Sequence, residues 1–158
     1  MLAAALPLLL AAALDVPYVH QQKDTCGAAA LAMVLQYWGV AVSHDEIAGE
    51  LLQPELHGIA GSKLAAFASA RGITAVAHQG DVDHLRDHVG KGRPMIVGWA
   101  MGKGRYHDVV VTGFDDDGAR VIVHDPARGP ARHVDLDTFR RRWAGAGYWT
   151  LLVAPKPQ

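Results

Sequence analysis

The sequence predicts an α+β domain, with N-terminal helices packed on a mostly antiparallel sheet. Two observations predict it. Most helical signals precede residue 91, whereas β-branched runs dominate from residue 95 onward, so the two kinds of element are segregated rather than alternating. Asp115-Asp116-Asp117-Gly118 separates two β-branched runs and reads as a hairpin turn, which makes the flanking strands antiparallel.

The elements follow in order. Val16-Pro17-Tyr18-Val19 is a short extended entry. Asp24 or Thr25 is placed to cap a helix beginning at Cys26 by accepting from its free N–H groups. That helix is apolar all round, with Gln36 its one polar residue after Gly27, which predicts burial on most sides. Gly39 is placed to end it in the left-handed conformation. Ser43-His44-Asp45-Glu46 is a capping box that starts a second helix toward Leu52, and Pro54 closes the segment. Residues 58–61 are loop, and Ser62 is the expected cap of a third helix over 63–71. A strand is expected over 73–77. A short helix follows over 81–89, with Val82, Leu85 and Val89 on one face. Strands are expected over 95–99, 109–112, 119–123, 132–134 and 148–153, with a short helix capped by Asp137 and ending at Trp143.

At 158 residues the chain is long enough for one domain with a sizeable core. Half the residues are hydrophobic, a fifth are charged and the formal net charge is −1, which offers no electrostatic footprint for nucleic acid or an anionic membrane. Residues 1–14 form an apolar run with Ala11-Ala12-Ala13 just before its last residue, Leu14. The run is shorter than the ~20 residues a bilayer span requires, and it fits the apolar part and small-residue cleavage site of an export signal. The expected organisation is therefore a signal or apolar segment over 1–14 and one domain over 15–158, with an exported location.

Cys26 is the only cysteine, so it forms no internal disulfide. Its place at a helix N-terminus, where the helix carries partial positive charge, predicts a lowered thiol pKa. A cysteine nucleophile needs a histidine base, and the base needs a group to orient it. The hairpin around Asp115 to Gly118 offers both. With a four-residue loop, His107 stands opposite Pro126 and beside Asp125; a turn made by Asp117-Gly118 alone shifts the pairing by two residues. Either register places His107 and Asp125 at the same end of the hairpin.

The segment from Gln21 to Gly39, with its Cys-Gly-Ala-Ala-Ala-Leu core and Tyr-Trp-Gly end, resembles the nucleophile segment of the bacteriocin-processing cysteine peptidases, papain-like enzymes that cleave leader peptides after a double glycine. His107-Asp108-Val109-Val110-Val111-Thr112-Gly113-Phe114 is similar to their histidine strand, and His124-Asp125-Pro126-Ala127 to the segment carrying their acid. The resemblance spans nearly all of residues 16–155. It implies a papain-like fold, Cys26 as nucleophile, His107 as base and Asp125 as the orienting acid. It also implies an oxyanion donor from Gln21, with Gln22 as the alternative. The implied activity is cysteine-type peptide-bond hydrolysis of a peptide or protein substrate, with no cofactor, and the family's context makes a membrane-associated export system a partner to consider. No G-x-x-x-x-G-K-[ST] phosphate loop is present, so the ATPase and transport functions of the fused members are not carried over. Two alternatives share these residues: a catalytically silent peptide-binding module, and an acyltransferase that passes the same thioester to an amine.

Other chemistry reads more weakly. Nine histidines invite a metal, yet neither H-E-x-x-H nor C-x-x-C occurs, and His84 and His88 lack a third ligand. The Asp115 to Gly118 run lacks the twelve-residue calcium-loop pattern. Arg140-Arg141-Arg142 reads as the charged face of a helix.

Overall fold

The computed structural model describes residues 13–157. Apart from Ala13 and Leu14, the expected export signal lies outside the described residues.

The first helix, α1, spans Cys26–Tyr37, and its apolar sequence buries every residue from Gly27 to Leu35. It ends as expected at Gly39, whose φ is +80° and whose N–H reaches Gln36 O at 3.0 Å. Its start differs from expectation. Thr25 is the N-cap residue but its hydroxyl does not cap the helix. It donates to Gln22 O at 3.0 Å and accepts from Gln22 N–H at 2.9 Å, closing the loop that leads into the helix. Asp24 takes a left-handed φ of 61° and faces His57 instead, at 3.4 Å. The first N–H groups of α1 therefore remain free of a side-chain cap.

Helix α2 (His44–Leu51) begins with the expected cap, Glu46 N–H donating to Ser43 Oγ at 3.1 Å. A 3₁₀ turn over Pro54–Leu56 follows. Helix α3 (Gly61–Ser69) starts earlier than expected, after Ala60, and Ser62 lies inside it rather than capping it. Helix α4 (Val82–Gly90) is capped by Asp81, which accepts from His84 N–H at 2.9 Å. Helix α5 (Leu136–Gly145) has Asp135 at its N-cap position, so Asp137 falls in its first turn and is not the cap.

The strands are β1 (Thr74–Gln79), β2 (Met95–Ala100), β3 (Tyr106–Asp115), β4 (Arg120–Asp125), β5 (Gly129–Asp135) and β6 (Trp149–Ala154). They form one six-stranded sheet in the order β1-β6-β2-β3-β4-β5, and every adjacent pair is antiparallel. Alternating side chains give the sheet two apolar faces. Ile96, Val110, Leu151 and Val153 pack with α1, α2 and α3, while Val97, Trp99, Val109 and Val123 pack with α4 and α5.

Near its turn the β3–β4 hairpin takes the register expected for a turn made by Asp117-Gly118, not that of a four-residue loop, and a bulge then shifts it by one residue. Near the turn Asp115 pairs with Arg120 and Phe114 with Val121, but beyond a bulge between Val111 and Gly113 the pairs are Val111 with Val123 and Val110 with His124. A one-residue shift exchanges the faces of a strand. The next step of the bulged ladder sets Asp125 across from Val109, and His107, two residues before Val109, shares that face. Without the bulge, Asp125 would fall on the opposite face from His107.

Candidate active site

A cleft of about 940 Å³ opens at the N-terminus of α1. Gln21 and Cys26 line it from the chain entering α1 and from its first turn, residues 56–61 from the segment entering α3, and Tyr106, His107 and Asp108 from the start of β3. Trp149, the first residue of β6, closes another side. The structure thus brings three of the four expected site residues to one cavity. Asp125 stands behind His107 rather than in the cleft.

His107 and Asp125 form a buried pair, with Nε2 and Oδ1 at 2.7 Å. Burial alone would raise the Asp125 pKa. The His107 hydrogen bond and charge, the Ala127 N–H at 2.9 Å and the Arg128 guanidinium at 3.3 Å outweigh it and hold the carboxyl down to about 2. Asp125 is therefore ionised and accepts, which places the His107 proton on Nε2 and leaves Nδ1 as the basic nitrogen. Nδ1 has no protein partner among the described residues. Tyr18 fixes the same corner from outside, its hydroxyl donating to Asp125 O at 2.9 Å. His124 is a clamp rather than a ligand. Its Nδ1 accepts from Ala131 N–H at 3.0 Å, so Nε2 donates to Val16 O at 2.8 Å.

Cys26 is half-buried at the first position of α1. The expected lowering of its pKa is not found. Burial pushes the thiol up to about 12 and the Asp108 carboxylate adds to the rise, while the N–H groups of Asp108, Gly27 and Cys26 itself pull the other way and lose. The helix N-terminus acts as expected in sign, but desolvation and a neighbouring negative charge exceed it. The resting group is a neutral thiol.

The two glutamines separate cleanly. Gln21 is half-buried and lines the cleft, whereas Gln22 is exposed and does not. Gln21 Nε2 donates to Gln22 O at 3.2 Å, and its buried Oε1 has no partner. The Gln21 N–H donates to Pro126 O at 2.9 Å, tying it to the segment that follows Asp125.

Sequence reasoning overlooked Asp108. The signal was present: in His107-Asp108-Val109-Val110 the acid shares a face with Val110, the face that packs on α1. The Asp24–His57 pair, which links the loop before α1 to the segment before α3, was also missed. Among the described residues no group of three His, Cys, Asp or Glu side chains is arranged for a metal ion, and no helix is long and apolar enough to cross a membrane.

A helix N-terminus bearing a cysteine, set against the end of an antiparallel sheet bearing a histidine–aspartate pair, is the arrangement of the papain-like α+β class. The chain belongs to the Peptidase_C39 like family, whose model matches residues 13–150. Among solved structures it is similar to a double glycine motif protease from an AMS/PCAT transporter, in complex with the leader peptide, at 26% identity and a TM-score of 0.72 over 91% of this chain and 94% of that one. A putative C39-like peptidase from Bacillus anthracis superimposes with a TM-score of 0.73 at 18% identity, over 92% of this chain and 98% of the other. The peptidase domain of Streptococcus ComA, a bi-functional ABC transporter of a quorum sensing pathway, gives 0.72 at 23% identity over 87% and 97%. The last two likenesses are of fold.

Proposed function

We propose that this protein is a cysteine peptidase in which Cys26 attacks a peptide carbonyl. The observation that carries the proposal is the buried pair of His107 with ionised Asp125, whose imidazole lines the same cleft as Cys26. In this reading the Cys26 proton passes to His107 Nδ1 as Sγ bonds to the carbonyl carbon. The carbonyl oxygen becomes an anion held by the Cys26 N–H and the Gln21 side-chain amide. The amine leaves with the proton from His107, and water, deprotonated by the same nitrogen, hydrolyses the thioester. Asp125 keeps the imidazole in the required tautomer throughout. Because the resting thiol is neutral, proton transfer accompanies attack rather than preceding it. The relative solved with a leader peptide supports a peptide as the substrate.

One observation favours the binding-module alternative: a thiol pushed up to about 12 is a poor nucleophile at rest. Covalent labelling separates the two. A peptidyl chloromethyl ketone should add one peptidyl mass to the wild-type protein and none to Cys26→Ser, with His107→Ala strongly slowed. Labelling of wild type no faster than that of a denatured sample would contradict the proposal.

A further inference from the structure

We propose that Asp108 is the acidic wall of a substrate subsite beside Cys26, one that accepts a cationic group of the substrate peptide, a lysine or arginine side chain or a free N-terminal ammonium. The inference rests on the peptidase reading for the position of the scissile bond, and on the following geometry for the charge.

Asp108 follows His107 on β3 and lines the cleft. Its carboxylate is seated against two glycines. A Cβ on Gly27 of α1 would lie 2.9 Å from Oδ2, and one on Gly98 of β2 would lie 3.8 Å from Oδ1. Both neighbours are thus of the smallest kind, and they leave room for the carboxylate at the cleft wall. No ion pair or side-chain hydrogen bond satisfies it among the described residues. The other charged groups of the cleft are accounted for: His57 faces Asp24 at 3.4 Å, Arg128 holds Asp125 at 3.3 Å, and Arg105 is exposed and makes no pair with Asp108. From α1 the group facing Asp108 is the Cys26 thiol, and from β3 it is His107.

A carboxyl in a largely desolvated place either takes up a proton or, as a carboxylate, is stabilised by an opposite charge. Burial accordingly pushes Asp108 up to about 6, with His107 pulling it partly back. Among the described residues no lysine or arginine pairs with it, and at pH 8 a ligand cation is the group that would complete the site. The same cation would oppose the negative charge that helps to hold the Cys26 thiol up. Correct substrate and readier ionisation of the nucleophile are thereby linked through one carboxylate.

The test uses acetylated tetrapeptidyl aminomethylcoumarins with lysine, arginine, norleucine or glutamate fixed at each of the two positions before the coumarin. A second set, of norleucyl and norleucyl-norleucyl aminomethylcoumarins, is made with and without the acetyl group, so that the free ammonium lies next to the scissile bond. Wild type should favour a cation over norleucine by at least tenfold in kcat/KM at pH 8, in the side-chain set if the subsite takes lysine or arginine, and in the unacetylated set if it takes a terminal amine. The ratio should fall toward one in Asp108→Asn, persist in part in Asp108→Glu, and shrink in wild type as pH drops from 8 to 5. The pH arm requires no variant to fold. Equal rates for cation and norleucine, or a preference untouched by Asp108→Asn, would overturn the inference while leaving the peptidase reading intact. If no coumarin is released, fluorescence anisotropy of the same peptides carrying a dye, on Cys26→Ala, decides. Cation-selective binding that Asp108→Asn abolishes supports the subsite and sinks the peptidase reading, and unselective or absent binding overturns the subsite.

Discussion

Gln21 and Gln22 are adjacent and identical in type, yet only Gln21 lines the cleft, tied by its backbone to Pro126. If Gln21 steadies the oxyanion, Gln21→Ala should lower kcat by about 10²–10³ with little change in KM, because the interaction strengthens only in the transition state. Gln22→Ala should stay near wild type in the same steady-state assay. Asp125→Asn should retain the fold by circular dichroism and lose about 10⁴ in turnover, since the amide favours the wrong imidazole tautomer. Cys26 gives a third expectation at this scale. With the thiol near 12, native protein should react slowly with iodoacetamide at pH 7, more slowly than unfolded protein. Asp108→Asn removes the negative charge that contributes to the rise and should speed the native reaction; an unchanged rate would show that Asp108 does not act on the thiol.

Helix α1 and its neighbours show how elements set the site, and how far they were legible. The burial of α1, its end at Gly39 and the capping box of α2 follow from local pattern and turn chemistry, so sequence sufficed. The start of α3 did not, because it is fixed by tertiary contact. Gly61 lies against Trp149, where a Cβ would come within 2.4 Å of the ring. Gly61→Ala should therefore displace that ring, costing about 1–3 kcal/mol in thermal unfolding, and should also disturb cleavage because Trp149 lines the cleft. The meeting of His107 and Asp125 was legible only as proximity at one hairpin end. Their shared face depends on a bulge between Val111 and Gly113, which no periodicity in that β-branched run reveals. Cys26 was legible as a residue at a helix start, but the rise in its pKa comes from Asp108 and burial, long-range features that local sequence does not carry.

Over the whole molecule, two carboxyls give opposite pH dependences. Asp125 sits near 2, below the unfolded value of about 3.9, so its stabilisation is present above pH 4 and is lost as pH falls from about 4 through 2. Asp108 sits near 6, above its unfolded value, so its contribution is present below about pH 4 and is lost as pH rises through 6. Asp108→Asn should accordingly melt higher than wild type at pH 8, by an amount that vanishes near pH 4. The fold joins two apolar layers across one sheet, and its cleft collects a thiol from the helical layer and, from the sheet, an imidazole backed by a buried carboxylate. The central claim is that this assembly cleaves peptides. The most direct measurement follows, by mass spectrometry, a peptide that the protein binds, with wild-type, Cys26→Ala and Asp125→Asn proteins, while its binding is recorded in parallel. The account expects two fragments from wild type, none from Cys26→Ala and a trace from Asp125→Asn. Tight binding by wild type and Cys26→Ala alike, with the peptide left whole, would contradict it.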